Sequence, residues 1–118
     1  MYEIFTHGRF EVEPGNEDGF VAAWSEFAAW ASQQPGAQTL RLLRDIRNPG
    51  RFLAFGQWDD AEAVGAWKSS PEFKGRIGRV VAQATAFDPT ELVTLAKVAN
   101  GAVEELSPPD LEAIHAPT

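Results

Sequence analysis

His7 is the side chain in this sequence best suited to moving a proton. It stands in the alternating stretch YEIFTHGRFEV, on one strand face with Phe5 and Arg9. A neutral imidazole with a pKa of about 6.5 can take a proton from a phenol or an activated carbon. The same residue can equally be a hydrogen-bonded structural histidine. The other histidine, His115, lies in the C-terminal tail, so a metal site built on both would need that tail to fold back, and no metal is expected. The chain has no cysteine, which excludes disulfides, thiolate nucleophiles, sulfur-ligated zinc and iron-sulfur clusters. Ser25, Ser32, Ser69, Ser70 and Ser107 fall in helix, cap or tail contexts, with no G-x-S-x-G turn around any of them. Gly75-Arg76-Ile77-Gly78 sits inside a helical pattern. It reads as a kink or a close approach by a chain segment or ligand, and not as a phosphate cradle.

The stretch WDDAEAVGAWKSSPEFKGRIG, residues 58–78, places two tryptophans nine positions apart. Trp58, at the end of a strand, reads as a packing residue. Trp67 stands beside a Ser-Pro break that interrupts regular helix packing, so it reads as either core or pocket wall.

These residues need elements to position them. Alternation over 2–12 predicts a strand with Tyr2, Ile4, Thr6, Gly8, Phe10 and Val12 on one face. Pro14-Gly15 ends it, and Asn16 is placed to cap a helix running to about Gln34, with Phe20, Ala23, Trp24, Phe27 and Ala31 on one stripe. AQTLRLLRD and RFLAFGQW predict a hairpin, with Pro49-Gly50 at the centre of a type II turn. Asp59 and Glu62 have capping-box spacing and predict a short helix. Ser70-Pro71 restarts a second one, and TELVTLAKV supplies a fourth strand. The order βαββαβ implies an α+β, ferredoxin-like fold, a four-stranded antiparallel sheet with its helices on one face. Tyr2, Ile4, Phe10 and Val12 are expected on the face away from the helices. That face is too apolar for water, so a second copy is expected to cover it, giving a homodimer and a dimeric α+β barrel. The domain is expected to span residues 1–99. Residues 100–118, with three prolines and four acids, read as an extension whose order depends on a partner subunit.

Composition narrows the partners. The 118 residues, 44% hydrophobic, are enough for one core. The formal charge of -7 and a pI near 4.7 oppose binding to a phosphate backbone, so no nucleic acid is expected. The basic run Arg41, Arg44, Arg47 and Arg51 reads as a solvated turn. No apolar run approaches the roughly 18 residues a membrane span requires, and the N-terminus lacks a leader pattern. A soluble, cytoplasmic protein is expected.

Trp58, the acid-capped short helix, Trp67, Ser70-Pro71-Glu72-Phe73 and Lys74, with Phe20 and Trp24 earlier, together resemble the antibiotic-biosynthesis-monooxygenase domains over about residues 2–98. The resemblance implies a pocket in each subunit between sheet and helices, walled by Phe5, His7, Trp24, Phe27, Trp67, Phe73 and Ile77. It implies a cofactor-independent monooxygenase acting with O2 on an aromatic polyketide-like molecule or a quinol. His7 would be the base, and Arg9, Arg44 or Arg76 would steady the anion, Arg76 being the one assigned to the substrate site. No cofactor is expected. Haem-degrading members also resemble this chain, but their iron-binding histidine corresponds to Ile77 here and their first-strand asparagine to His7. The alternative is a binding protein, or a polyketide cyclase or isomerase, on the same fold.

Overall fold

The computed structural model describes residues 3–105. Its elements are β1 (Ile4–Glu11), α1 (Glu17–Ala31), β2 (Ala37–Arg44), β3 (Arg51–Trp58), α2 (Ala61–Ser69), α3 (Phe73–Val81), β4 (Ala86–Val93), β5 (Ala96–Ala99) and β6 (Ala102–Glu105). The four-stranded sheet is antiparallel in the order β2-β3-β1-β4, and β5 and β6 pair separately. This is the ferredoxin-like α+β arrangement expected from the element order.

The two faces of the sheet are reversed from the expectation. Ile4, Phe10 and Val12 face the helices and are almost wholly buried, with Phe10 against Phe20 of α1 at 4.9 Å between ring centroids. Phe52 and Trp58 of β3 share that face, meeting Phe20 and Trp67 respectively. Phe5, His7 and Arg9 therefore point to the outer face. Alternation defines two faces but does not say which one meets the helices. The set with more apolar bulk does, because burial there removes more hydrocarbon from water. Tyr2 lies outside the described residues.

Several local signals act one or two residues from where they were expected. Asp60, and not Asp59, caps α2, its carboxylate accepting from the Ala63 N–H at 2.7 Å. Asp59 instead accepts from Gln38 at 2.9 Å. Asn16 occupies the N-cap position of α1 without a side-chain cap bond, its amide donating to the Gln83 carbonyl at 2.9 Å. Helix α1 ends at Ala31, three residues before Gln34. The Pro49-Gly50 turn closes with the Arg51 N–H on the Asn48 carbonyl at 2.9 Å, but Gly50 does not adopt the positive φ of a type II turn. Glycine is required there for another reason: a Cβ would lie 2.6 Å from the Val12 carbonyl oxygen.

The helical break forms at Ser70, whose backbone turns extended ahead of Pro71 and whose hydroxyl and N–H both return to the Trp67 carbonyl. Gly75 and Gly78 in α3 have no atom within 4 Å of a would-be Cβ, so neither marks a close approach. Strand β4 starts at Ala86 and ends at Val93, earlier than expected. Residues 96–105 form a hairpin whose Asn100-Gly101 turn has φ of 54° and 78°. Both values fit a type I′ turn, for which Asn-Gly is the preferred pair. The extension expected from residue 100 thus begins as the second strand of this hairpin, and residues 106–118 lie outside the described residues. At the far end of β1, Glu11 accepts from Arg51 at 3.0 Å and Arg9 at 3.2 Å, and these guanidiniums hold its carboxyl below the ordinary value. Among the described residues, no helix is long and apolar enough to cross a membrane.

Candidate functional site

A cavity of about 270 Å³ opens between the inner face of the sheet and the helices. Its position follows from a pattern shared by two neighbouring strands. On the inner face β1 reads Ile4, Thr6, Gly8, Phe10, and β3 reads Phe52, Ala54, Gly56, Trp58. In antiparallel register Ile4 meets Trp58, Thr6 meets Gly56, Gly8 meets Ala54 and Phe10 meets Phe52. Large side chains coincide at both ends and small ones in the middle, so the middle of the sheet is a low floor. The floor is crowded as well as low. A Cβ at Gly56 would stand 2.8 Å from Thr6 Oγ1, and one at Gly8 would stand 3.1 Å from the Phe87 ring.

The helices supply the walls: Trp24 and Phe27 from α1, Trp67 from α2, Phe73 and Ile77 from α3. Phe27 joins the three helices, its ring 5.8 Å from Trp67 and 6.1 Å from Phe73. Trp67 is stacked on Trp58 at 4.5 Å and meets Phe73 edge-on at 4.9 Å. Trp58 itself is fully buried and does not border the cavity, in keeping with a packing role. Thus the two tryptophans of the 58–78 stretch form one stack, with one member in the core and one on the cavity.

Polar groups at the cavity are few. Thr6 Oγ1 accepts from Trp58 Nε1 at 3.2 Å. Trp67 Nε1 is buried with no hydrogen-bond partner among the described residues, although buried polar groups normally have one. Lys68 borders the cavity from α2, and its Nζ donates to Glu91 Oε2 on β4 at 3.0 Å. Among the described residues no three His, Asp or Glu side chains gather to offer a metal site.

Of the residues singled out in the sequence, Trp24, Phe27, Trp67, Phe73 and Ile77 come together around this cavity. Phe5, His7 and Arg76 are placed differently. Phe5 lines a separate depression on the outer face with Arg41, Leu43 and Phe55. His7 borders the cavity only as part of the strand that floors it. Its ring is on the outer face, with Nδ1 3.0 Å from Thr90 Oγ1 and the ring 4.9 Å from Phe55. Arg76 is held away from the cavity by Glu72 at 3.1 Å and by the Trp30 ring at 4.9 Å. Arg44 pairs with Glu17 and Arg9 with Glu11, so none of the three arginines borders the cavity. The cation at the cavity is Lys68, which the sequence reading passed over. Thr6, Gly8, Ala54 and Gly56 were also missed, although the paired large-small-small-large pattern was there to be read.

A family model described as antibiotic biosynthesis monooxygenase matches residues 4–76. No curated protein matches the sequence. Among solved structures, SnoaB from Streptomyces nogalater, a cofactor-independent oxygenase, is similar at 20% identity over 86% of this chain and 100% of that one, with a TM-score of 0.70. Rv0793 from Mycobacterium tuberculosis is similar at 16% identity over 82% of this chain and 99% of that one, with a TM-score of 0.69. A conserved protein from Methanosarcina mazei Go1 is similar at 14% identity over 80% and 92%, with a TM-score of 0.68. At such identities the structural likeness is one of fold. The family match covers more than half of the sequence, and on it this chain belongs to the antibiotic biosynthesis monooxygenase family.

Proposed function

We propose that the protein is a cofactor-independent monooxygenase that binds a flat aromatic polyketide-like molecule or quinol in the cavity and oxidises it with O2. The cavity carries this reading. It is walled by aromatic rings, floored by small residues, and close to the roughly 300 Å³ at the small end of ligand sites, which suits a two- or three-ring molecule. In such a reaction the substrate supplies the electrons. Loss of a proton gives a delocalised anion that passes one electron to O2, and the radical pair combines to a hydroperoxide. Loss of water then leaves a carbonyl, so that CH2 and O2 become C=O and H2O with no external reductant. The protein's part is to bind the ring, stabilise the anion and exclude bulk water.

The second part of the proposal is a homodimer. The outer face carries Phe5, His7 and Phe55, with Leu43 and Leu92 left 47% and 43% exposed, and a second copy would cover it. The domain proper is assigned to residues 1–99, with the remainder as an extension.

The test is oxygen uptake by metal-stripped protein with a panel of anthrones and hydroquinones, using 18O2 and mass spectrometry. One O2 consumed per product gaining a single labelled oxygen, above autoxidation, is the expected result. Ligand turnover or binding without uptake would replace the oxygenase reading with the cyclase or binding protein. With an accepted substrate, His7→Ala is expected to retain turnover within about threefold, because the ring lies across the sheet from the cavity. General bases contribute about 100-fold or more, so a loss of that size would return His7 to the role of base.

A further inference from the structure

We infer that Lys68 is the counter-ion for an ionised phenol or enol in the cavity, and that Glu91 is a positioning residue that holds Lys68 at the rim until the ligand arrives. The inference rests on the proposed small-molecule site and names the charge state of its ligand.

Three observations carry it. First, the charged group at the cavity is a donor. The Lys68 ammonium can only donate, while the Thr6 hydroxyl is already held between Trp58 Nε1 and the Gly56 carbonyl. Such a site matches a ligand presenting oxygen acceptors. Second, among the described residues Lys68 is the Lys or Arg side chain on a lining that is mostly apolar. Other groups are placed elsewhere: Arg76 and Arg79 line a different small depression, and His7 turns its ring to the outer face. A cation at the rim of an apolar cavity favours the ionised form of an acid bound beside it.

Third, the Lys68–Glu91 pair is easily exchanged. The two side chains are 29% and 45% exposed, and an ion pair this wet contributes little. Lys68 can therefore trade the Glu91 carboxylate for a ligand oxygen at small cost. In that exchange the ligand's O–H bond breaks, its proton passes to bulk water at the rim, and the oxygen keeps the electron pair. Nothing is oxidised or reduced in this step. It prepares the electron-rich anion from which transfer to O2 begins.

The probe is 2-hydroxyanthraquinone, whose neutral and ionised forms differ in colour and which is already oxidised at its central ring. Spectrophotometric titration of the bound probe is expected to show an apparent pKa lower than that of the free probe by about one pH unit, the tenfold preference for the anion that a nearby cation gives. Lys68→Met keeps the aliphatic stem and is expected to abolish the lowering. Glu91→Gln leaves Lys68 without its competing partner and is expected to keep or deepen it. Equal urea midpoints for both variants would show that the fold is not what changed. An unshifted pKa in the parent, a lowering that survives Lys68→Met, or failure of the probe to bind would each overturn the inference. Oxygen uptake tests the oxygenase reading separately and can succeed where Lys68 fails.

Discussion

Trp67→Phe is expected to separate stability from binding. The indole is stacked on Trp58 and edge-on to Phe73, and is only 6% exposed, so removing it altogether would leave a void of the kind that costs about 3–5 kcal/mol. Phenylalanine keeps one ring in that stack. It also removes a buried N–H without a partner, a group whose desolvation costs about 1–3 kcal/mol. The two effects oppose each other, and the urea-unfolding free energy should stay within about 1 kcal/mol of the parent. Affinity for a quinone or phenol probe should fall about tenfold, the loss of roughly 1.4 kcal/mol of ring contact where the larger indole walls the cavity. Trp58→Phe provides the contrast. Its N–H is satisfied by Thr6 and the residue lies behind the cavity, so that change should reduce stability and leave affinity nearly unaltered. If Trp67→Phe bound the probe as tightly as the parent, the indole would be a packing residue only.

Ala54→Leu tests whether the low floor makes the site. Ala54 is cross-strand from Gly8 on β1 and from Leu42 on β2, in the middle of the inner face, with free volume above it. A leucine there would enter the cavity instead of a packed core, so the usual overpacking cost of about 1–3 kcal/mol should be small or absent. Stability should hold or rise, and affinity for 2-hydroxyanthraquinone should fall about 100-fold or more, because a rigid tricycle cannot fold around the new branch. Calorimetric titration with thermal unfolding reads both quantities. Unchanged affinity would move the binding site away from the sheet floor. Gly56→Ala would be a poorer test, since its Cβ would collide with Thr6 Oγ1 and disturb the fold itself.

How much of this was legible in advance differs from residue to residue, for identifiable reasons. The helical stripe Phe20, Trp24, Phe27 was readable because helical spacing places these side chains on one side whatever they pack against. Trp67, Phe73 and Ile77 were readable for a related reason: Ser70-Pro71 must break the helix, and both fragments keep their apolar sides toward the sheet. The Asn100-Gly101 turn was readable too, yet the residues before it read as the end of the fourth strand and those after it as an extension ordered by a partner, because the exposed strands β5 and β6 carry little alternation of burial. His7 was placed on the wrong side because period-two alternation is symmetric, and assigning the Phe5 face to the helices displaces every odd-numbered side chain of β1 together. The bulk of Ile4, Phe10 and Val12 held the correct answer. Lys68 was invisible as a site residue because its partner Glu91 is 23 positions away and meets it only after β4 joins the edge of β1.

By itself, then, the sequence determined the order of elements from β1 to β4, the single core and the aromatic walls, since these depend on spacing, breaks and apolar volume within short segments. Strand pairing decided the rest. Only the antiparallel register of β1 and β3 aligns Thr6 with Gly56 and Gly8 with Ala54, which turns four small residues in two separate stretches into one cavity floor. Only the choice of which face meets the helices removes the His7 ring from that cavity and leaves Lys68 at its rim. Both depend on contacts between residues far apart in the chain, where local propensity carries no information and the burial of the larger apolar face sets the outcome.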